Sequence, residues 1–290
     1  MSIKINDNSL KSLRTYFNDK LQGIYAEEEL SSLFFIGLDH YLKITRLQFL
    51  ANPEATVSES DILRIRHLAK ELRLEKPVQY ILGECTFMDL SIKVNEHVLI
   101  PRPETEEIVD AIIKQGIHPK KIIDLCTGSG CIALALKKNF SGAEVTGIDI
   151  SEKALIIAEE NRLLNKLNVS FIQDDVLNLQ KTLSKADLIV SNPPYVMDKE
   201  KKIMSKNVLE YEPELALFVR DEDPLVFYRT LISIAVEKLN EEGWLFMEIN
   251  EKFGKEIIAL MEGTKKFINL ELMQDLNGKD RWVSGQKREL

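Results

Sequence analysis

Cysteine and histidine are scarce in this sequence. Among its 290 residues there are three cysteines and four histidines. An odd, sparse set of cysteines excludes a disulfide framework and indicates a reducing compartment. The histidines lie far apart without the spacing of metal ligands, so we predict no metal site. Proline is also sparse, at 9 residues, and the content of 44% hydrophobic and 29% charged residues is that of an ordinary globular protein.

Long apolar runs and an excess of positive charge are also missing. No apolar run reaches the length of a membrane span, and Met1–Asp7 lacks the apolar core of a signal peptide, so we expect a cytoplasmic protein without membrane association. The 38 Lys and Arg residues are outnumbered by 46 Asp and Glu residues, which gives a net charge of −8. This balance argues against an extended basic surface, and we expect no stable binding of nucleic acid.

Apolar periodicity divides the chain into three segments. In residues 1–76 apolar side chains recur at helical spacing, as at Leu13 and Phe17, which predicts a helical domain suited to docking a substrate. Residues 77–100 are predicted to be a linker with a β-hairpin, because polar and apolar residues alternate there. In residues 101–290 strands alternate with helices, which indicates a mostly parallel, doubly wound sheet.

The hairpin and one loop can be placed more closely. Alternation runs over residues 86–94 and resumes over residues 97–100, so these two runs are the expected strand pair. Residues 197–207 are polar and rich in lysine, and they are predicted to form a mobile loop over the site.

A glycine-containing turn follows the first buried strand of the sheet. The strand Lys121–Leu125 leads into the turn Cys126–Gly130, whose glycines let a ligand approach backbone amides. Asp149 ends the next strand about 20 residues further on, the spacing at which a carboxylate accepts ribose hydroxyls. This pattern alone does not separate a nicotinamide site from an S-adenosylmethionine site. The missing G-x-G-x-x-G arrangement, and Asp124 before the turn, favour S-adenosylmethionine, since a carboxylate repels a pyrophosphate.

Two further strand ends carry polar side chains. Asp174 and Asp175 follow a strand and are placed to accept from an adenine amino group, with a solvated turn as an equal alternative. The apolar run Ala186–Val190 leads into Ser191-Asn192-Pro193-Pro194-Tyr195. The prolines remove backbone donors, Asn192 adds an acceptor, and Tyr195 adds a flat face. This combination suits a planar group bearing an NH2, either a carboxamide or an exocyclic base amine.

With these motifs the chain resembles the HemK/PrmC family of peptide chain release factor glutamine N5-methyltransferases along nearly its whole length. The resemblance implies an α/β fold, a Rossmann-like class I S-adenosylmethionine-dependent methyltransferase sheet with a small N-terminal helical domain joined by a β-hairpin. Cys126 stands where the family usually has glycine, so a positive φ is not assumed there. The segments that carry the resemblance are residues 75–83, 100–106, 124–130, 192–195 and 211–217.

The resemblance implies methyl transfer from S-adenosylmethionine, with S-adenosylhomocysteine as product, to the glutamine amide of the Gly-Gly-Gln motif in class 1 release factors. We expect a monomer whose partner is the release factor. The implied catalytic residues are Asn192, Pro193 and Tyr195, and the implied substrate-binding residues are Asn192, Pro193, Pro194 and Tyr195. The implied cofactor-binding residues are Cys126, Thr127, Gly128, Ser129, Gly130, Asp149, Asp175, Val176 and Asn192.

Within that implied site each group has an expected role. Asn192 Oδ1 and the Pro193 carbonyl would accept the two N–H bonds of the glutamine amide, and Tyr195 would pack against the amide plane. Asp149 would bind the ribose, whereas Asp175 and Val176 would lie near the adenine. Arg102, Glu104 and Glu106 are candidates to line the site, with a helix-capping salt-bridge cluster as an equal alternative.

Three other functions remain open from the sequence. A glutamine methyltransferase for a ribosomal protein would share the catalytic motif and differ in the first domain. An adenine-N6 nucleic-acid methyltransferase would need a basic groove or an added recognition segment, against which the acidic balance argues. A cofactor-binding interaction protein without turnover is the third, and the intact Asn192 and Tyr195 argue against it.

Overall fold

A computed structural model of the protein describes residues 7–289, which form two compact units. The helical unit consists of residues up to Gly83 and the segment Ser205–Tyr211, and the sheet unit consists of Glu84–Met204 and the residues from Glu212 onward. Between residues 7 and 289 no helix combines the length and apolar character that crossing a bilayer requires.

The helical unit has its own apolar core. Leu13, Phe17, Phe34 and Leu68 are almost fully buried there, because the stripes read from the sequence face one another. Local signals begin these helices, as where the Ser9 hydroxyl accepts from the Ser12 amide at 3.1 Å. The helices are α1 (Leu10–Leu21), α2 (Glu27–Leu42), α3 (Arg46–Ala51), α4 (Glu59–Leu72), α5 (Val78–Leu82) and, numbered by its place in the chain, α9 (Lys206–Tyr211).

The structure differs from two segment assignments that were predicted from the sequence. The helix α5 packs with the first core, although the sequence put the end of the first domain at residue 76. The segment predicted as a loop over residues 197–207 contains a 3₁₀ helix, Asp198–Ile203, and the start of α9. Within the sheet unit Glu200 ties that 3₁₀ helix down, since its carboxylate accepts from the Met197 amide at 2.9 Å and from Lys252 Nζ at 2.5 Å.

The hairpin lies at the start of the sheet unit and is shorter than predicted. Its strands are β1 (Glu84–Phe87) and β2 (Leu90–Lys93), so a turn at Met88 and Asp89 interrupts the run that was predicted to be one strand. Both turn residues have positive φ, 47° and 57°, as a tight hairpin turn requires. The Met88 amide donates to Glu106 Oε1 at 2.7 Å, so a distant carboxylate stabilises the turn.

The strands of the main sheet are β3 (Lys121–Leu125), β4 (Glu144–Asp149), β5 (Ser170–Gln173), β6 (Ala186–Ser191), β9 (Leu239–Glu248), β10 (Phe267–Gln274) and β11 (Asp280–Lys287). Among the described residues they form one seven-stranded sheet in the sheet unit, with strand order β10-β11-β9-β6-β3-β4-β5. The five neighbouring strands β9, β6, β3, β4 and β5 are parallel, and β11 is antiparallel to both of its neighbours.

Helices and two short strands complete this unit. The helices are α6 (Pro103–Lys114), α7 (Cys131–Asn139), α8 (Glu152–Asn165), α10 (Glu214–Leu217), α11 (Val226–Lys238) and α12 (Gly254–Gly263). The short strands β7 (Val196–Met197) and β8 (Phe218–Val219) pair with each other. The direction of strand order reverses between β3 and β6, and in open parallel sheets the crevice at such a point, at the carboxyl ends of the strands, is where ligands bind.

Candidate active site

A cavity opens at the carboxyl ends of β3, β4 and β6. Pairing of Leu125 with Ser191 puts the glycine turn beside the proline turn, and Ser191 Oγ donates to the Leu125 carbonyl at 2.7 Å. The two turns, which are more than 60 residues apart in sequence, therefore share one wall. The cavity-lining residues from the predicted site are Cys126, Thr127, Gly128, Ser129, Asp149, Asp175, Val176, Asn192 and Pro194.

The glycine turn exposes its backbone to this cavity. Cys126, Gly128 and Gly130 have φ of 62°, 53° and 79°, so three left-handed residues bend the chain sharply after β3. Cys126 thus adopts the conformation that glycine favours, at a strain of about 1–2 kcal/mol. A Cβ at Gly128 would meet no atom within 4 Å, because that side of the turn is open.

Gly130 is packed among its neighbours, and its predicted contact with a cofactor stays a prediction. It does not line the cavity, and a Cβ there would lie 2.9 Å from the Phe171 ring and 3.2 Å from Ala158. Its amide already donates to the Thr127 carbonyl at 2.8 Å. Gly130 therefore allows α7 to begin close to its neighbours.

Asp124 also supports the turn from within the protein. It is fully buried, and its Oδ2 accepts from Thr127 Oγ1 at 2.6 Å and from the Ala133 amide at 3.1 Å. Its Oδ1 is buried without a hydrogen-bond partner. Burial raises the pKa of Asp124 to about 7, against these two donors. Asp124 does not line the cavity, so its carboxylate does not contact a ligand there directly. The predicted attraction to a cationic ligand would have to act across the residues of the turn.

The acids at the ends of β4 and β5 divide into two that face the cavity and one that does not. Asp149 accepts from the Gly128 amide at 2.8 Å and the Ser151 amide at 2.9 Å, and burial raises its pKa. Its carboxylate keeps lone pairs for hydroxyl donors in the cavity. Asp175 also lines the cavity, whereas the carboxylate of Asp174 accepts from three backbone amides of its own turn.

The proline turn presents two of its side chains to the cavity. Asn192 and Pro194 line it, whereas Pro193 and Tyr195 do not. The Tyr195 hydroxyl donates to Glu248 Oε1 at 2.9 Å, and the predicted packing of Tyr195 against a substrate amide stays a prediction. Burial and the charge of Glu248 raise the pKa of Tyr195 well above its ordinary value, so the hydroxyl keeps its proton.

Two functional candidates, Thr105 and Glu248, were missed in the sequence. Thr105 Oγ1 donates to Glu248 Oε2 at 2.7 Å and accepts from Asn192 Nδ2 at 3.2 Å. Both are buried, and burial raises the pKa of Glu248. A signal existed for Glu248, since it directly follows the apolar run Trp244–Met247 and so had to lie at the carboxyl end of a buried strand.

Arg102 lies in the cavity wall, whereas Glu104 and Glu106 do not. Arg102 Nη2 donates to Glu212 Oε1 at 2.5 Å, and Glu212 Oε2 accepts from the Ile100 amide at 3.3 Å. The Glu212 side chain is 1% exposed, so this ion pair is shielded from water on one side. It ties the proline-acid segment to the start of α10, whose residues Leu215 and Ala216 also line the cavity.

Comparison with known proteins shows the family to which the chain belongs. The chain is 43% identical over 279 residues to a release factor glutamine methyltransferase from Flavobacterium psychrophilum, a match that covers 94% of this chain and 98% of the relative. The chain belongs to the release factor glutamine methyltransferase family. A relative of the same name from Bacteroides thetaiotaomicron is 37% identical, with 96% of this chain and 100% of the relative covered.

Two family descriptions match separate parts of the chain. The PrmC N-terminal domain matches residues 12–83, and the methyltransferase small domain matches residues 105–214. Among solved structures, a methyltransferase from Pyrococcus furiosus has a TM-score of 0.50 and 18% identity, covering 69% of this chain and 90% of that chain. The resemblance read from the sequence is confirmed, and so is the predicted Rossmann-like methyltransferase fold with an N-terminal helical region.

Proposed function

We propose that this protein transfers a methyl group from S-adenosylmethionine to the side-chain amide nitrogen of the glutamine in the Gly-Gly-Gln motif of class 1 release factors. The observation that carries the proposal is the shared cavity wall of the glycine turn and the Asn-Pro-Pro-Tyr turn. Membership of the release factor glutamine methyltransferase family supports the choice of substrate. The protein is proposed to act in the cytoplasm, where its substrates are.

The residues present fit S-adenosylmethionine. The open side of Gly128 leaves room for a ligand against the backbone of Cys126–Ser129. Asp149 is proposed to accept from the ribose hydroxyls, and Asp175 with the apolar Val176 to hold the adenine. When bound, S-adenosylmethionine supplies an electrophilic methyl carbon attached to a sulfonium.

The protein's task in the reaction is to position a poor nucleophile. The lone pair of an amide nitrogen is delocalised into its carbonyl, so the nitrogen attacks only when it is well aimed. We assign Asn192 Oδ1, on the cavity wall, as the acceptor of one substrate N–H bond, and we propose the carbonyl of Pro193, a residue that does not itself line the cavity, as the acceptor of the other; together they would hold the nitrogen in line as it becomes tetrahedral. No base is needed beforehand, because the proton can leave after transfer.

We propose a supporting role for Tyr195 in place of direct contact with the substrate amide. Its ring packs at the edge of the core of the sheet unit, and its hydroxyl is bound to Glu248. The residue therefore supports the proline turn from behind. The apolar wall that excludes water from the substrate amide is assigned instead to Pro194 and Leu99, which line the cavity.

Incubation with methyl-labelled S-adenosylmethionine tests the proposal. The substrates are a whole release factor, its Gln-to-Ala variant at the Gly-Gly-Gln motif, a ribosomal-protein mixture and oligonucleotides. We expect label only in the unaltered release factor. Label in the glutamine-less variant or in an oligonucleotide would contradict the proposal, and label in a ribosomal protein alone would favour that alternative substrate.

A further inference from the structure

The buried chain from Asn192 through Thr105 to Glu248 controls which end of the Asn192 amide faces the cavity. We propose that Thr105 and Glu248 are positioning residues: the carboxylate of Glu248 orients the Thr105 hydroxyl, and the hydroxyl orients the Asn192 amide with its oxygen toward the substrate. This inference rests on the proposed function only for its catalytic consequence, because the orientation itself can be measured without substrate.

The number of protons available limits how the Thr105 hydroxyl can bond to its neighbours. An ionised carboxylate only accepts hydrogen bonds, and each hydroxyl has one proton to donate. The Thr105 hydroxyl donates to Glu248 Oε2 at 2.7 Å, and the Tyr195 hydroxyl donates to Oε1 at 2.9 Å. The proton of Thr105 is therefore committed to Glu248, and toward any other neighbour its oxygen can only accept.

The side-chain amide of Asn192 can adopt two orientations that are related by a flip. Its oxygen and its NH2 group have nearly the same size, so packing alone does not choose between the two orientations. An NH2 group facing Thr105 donates to Oγ1, at the 3.2 Å separation observed. The flipped amide would bring its oxygen against a hydroxyl oxygen with no proton between them. Thr105 thus selects the orientation that leaves Asn192 Oδ1 free of this contact.

The orientation of the Asn192 amide determines which substrate group it can bind. Asn192 and Thr105 both line the cavity, and Asn192 Nδ2 is bound to Thr105, so the amide oxygen is the group left for a ligand there. An oxygen in that place accepts from a substrate NH2, whereas a flipped amide would present donors and repel it. Thr105 lines the cavity but is only 2% exposed, and Glu248 is 1% exposed, so water has little access to either partner. The buried carboxylate therefore makes the site selective for NH2-bearing groups.

The charge of Glu248 is set by groups on several elements. Arg281 of β11 and Glu104 of α6 act on it through space, Tyr195 donates to it, and Tyr228 of α11 lies within range of its charge. Burial raises the pKa of Glu248, against the two hydroxyl donors and Arg281. A protonated Glu248 can donate to Thr105, which leaves the Thr105 proton free to point toward Asn192, so the preference for one amide orientation should be lost as the pH falls through this raised pKa.

The test uses the whole chain, and its first readout is NMR of the asparagine side-chain amides. The Asn192 signals are assigned by their loss in Asn192→Asp. We expect these signals to shift with acid pH in a single step above the ordinary pKa of glutamate, about 4.3. The step should disappear in Thr105→Val and remain in Thr105→Ser, which keeps the hydroxyl. Asn192 signals that do not respond to pH, or respond equally in Thr105→Val, would overturn the proposal.

The second readout is the kinetics of release factor methylation. Thr105→Val should lower kcat about tenfold with little change in the Kd of S-adenosylmethionine, and Thr105→Ser should restore most of the rate. Thr230→Val is the matched control, because it removes a hydroxyl that donates to the Val226 carbonyl at 3.0 Å within the same unit. Equal kcat in Thr105→Val and the unaltered chain would refute the positioning role. Absence of methylation in the unaltered chain would refute the proposed function and leave the NMR test in force.

Discussion

Replacement of Asp124 by Asn removes a buried charge beneath the glycine turn. Asp124 is fully buried, one of its oxygens has no partner, and burial raises its pKa from 3.8 to about 7. A higher pKa in the folded state means that folding takes up a proton. The stabilisation is therefore complete below the unfolded pKa near 3.8 and is lost as the pH rises through about 7.

The size of the effect follows from the two pKa values. They differ by roughly 3 units, and each unit corresponds to about 1.4 kcal/mol, so the group can reduce the unfolding free energy by about 4 kcal/mol at high pH. Because part of this loss has already occurred at pH 5, a loss on the order of 2–3 kcal/mol is expected between pH 5 and pH 8. Asp124→Asn should lack this loss, since its amide does not titrate and its oxygen can still accept from Thr127 and Ala133.

Urea unfolding at pH 5 and pH 8, followed by tryptophan fluorescence, measures this difference. Both tryptophans, Trp244 and Trp282, are buried in the sheet unit, so the signal reports on the unit that contains Asp124. Asp187→Asn is the control. Hydrogen bonds from Asn240 and two backbone amides outweigh partial burial and lower the pKa of Asp187, so its stabilisation is lost only at acid pH. If the free energy of unfolding of Asp124→Asn falls between pH 5 and pH 8 by as much as that of the unaltered chain, the Asp124 carboxyl is not the cause of the loss.

The cavity wall and the helical unit allow three further tests. Asn192→Ala should lower kcat at least about hundredfold, while calorimetry shows S-adenosylmethionine still bound at reduced strength; undiminished turnover would remove the acceptor role. Gly128→Ala puts a Cβ into the open side of the turn at φ 53° and should weaken S-adenosylmethionine binding about tenfold or more, whereas Gly116→Ala, at φ 74° and outside the cavity, should not; equal losses would contradict the assignment. A chain that begins at Glu84, without residues 1–83, should show a raised KM for a whole release factor and an unchanged KM for a short Gly-Gly-Gln peptide; equal KM values for the whole factor would count against docking.

Local signals in the sequence were sufficient wherever one element could be read alone. The stripe that includes Leu13 and Phe17 became a buried helix face, and the apolar run before Asn192 became the strand β6. The glycine turn between β3 and α7 was readable for the same reason, because its conformation depends on residues within the turn. These features depend on neighbours a few positions away.

The hairpin shows where such reading fails. Met88 and Asp89 are not a strong turn pair, and the alternation around them suggested one continuous strand. Their positive φ values are stabilised by a bond from the Met88 amide to Glu106 and by bonds from Lys138 Nζ to both turn carbonyls. Because these partners lie 18 and about 50 positions away, no local pattern could have indicated them.

The sequence by itself determined the residue types of the site and the strand ends on which they lie, since the apolar runs and turn residues that place them are contiguous. Only the tertiary structure decided that Thr105 and Glu248, 143 positions apart, meet beside Asn192, and that the Tyr195 hydroxyl binds the same Glu248 carboxylate. The neighbouring strands β6 and β9 bring Asn192, directly after β6, close to Glu248 at the end of β9, and Thr105 comes from the first turn of α6. The order of the strands depends on how whole helices pack across the sheet, which is a property of the complete fold and not of any one segment.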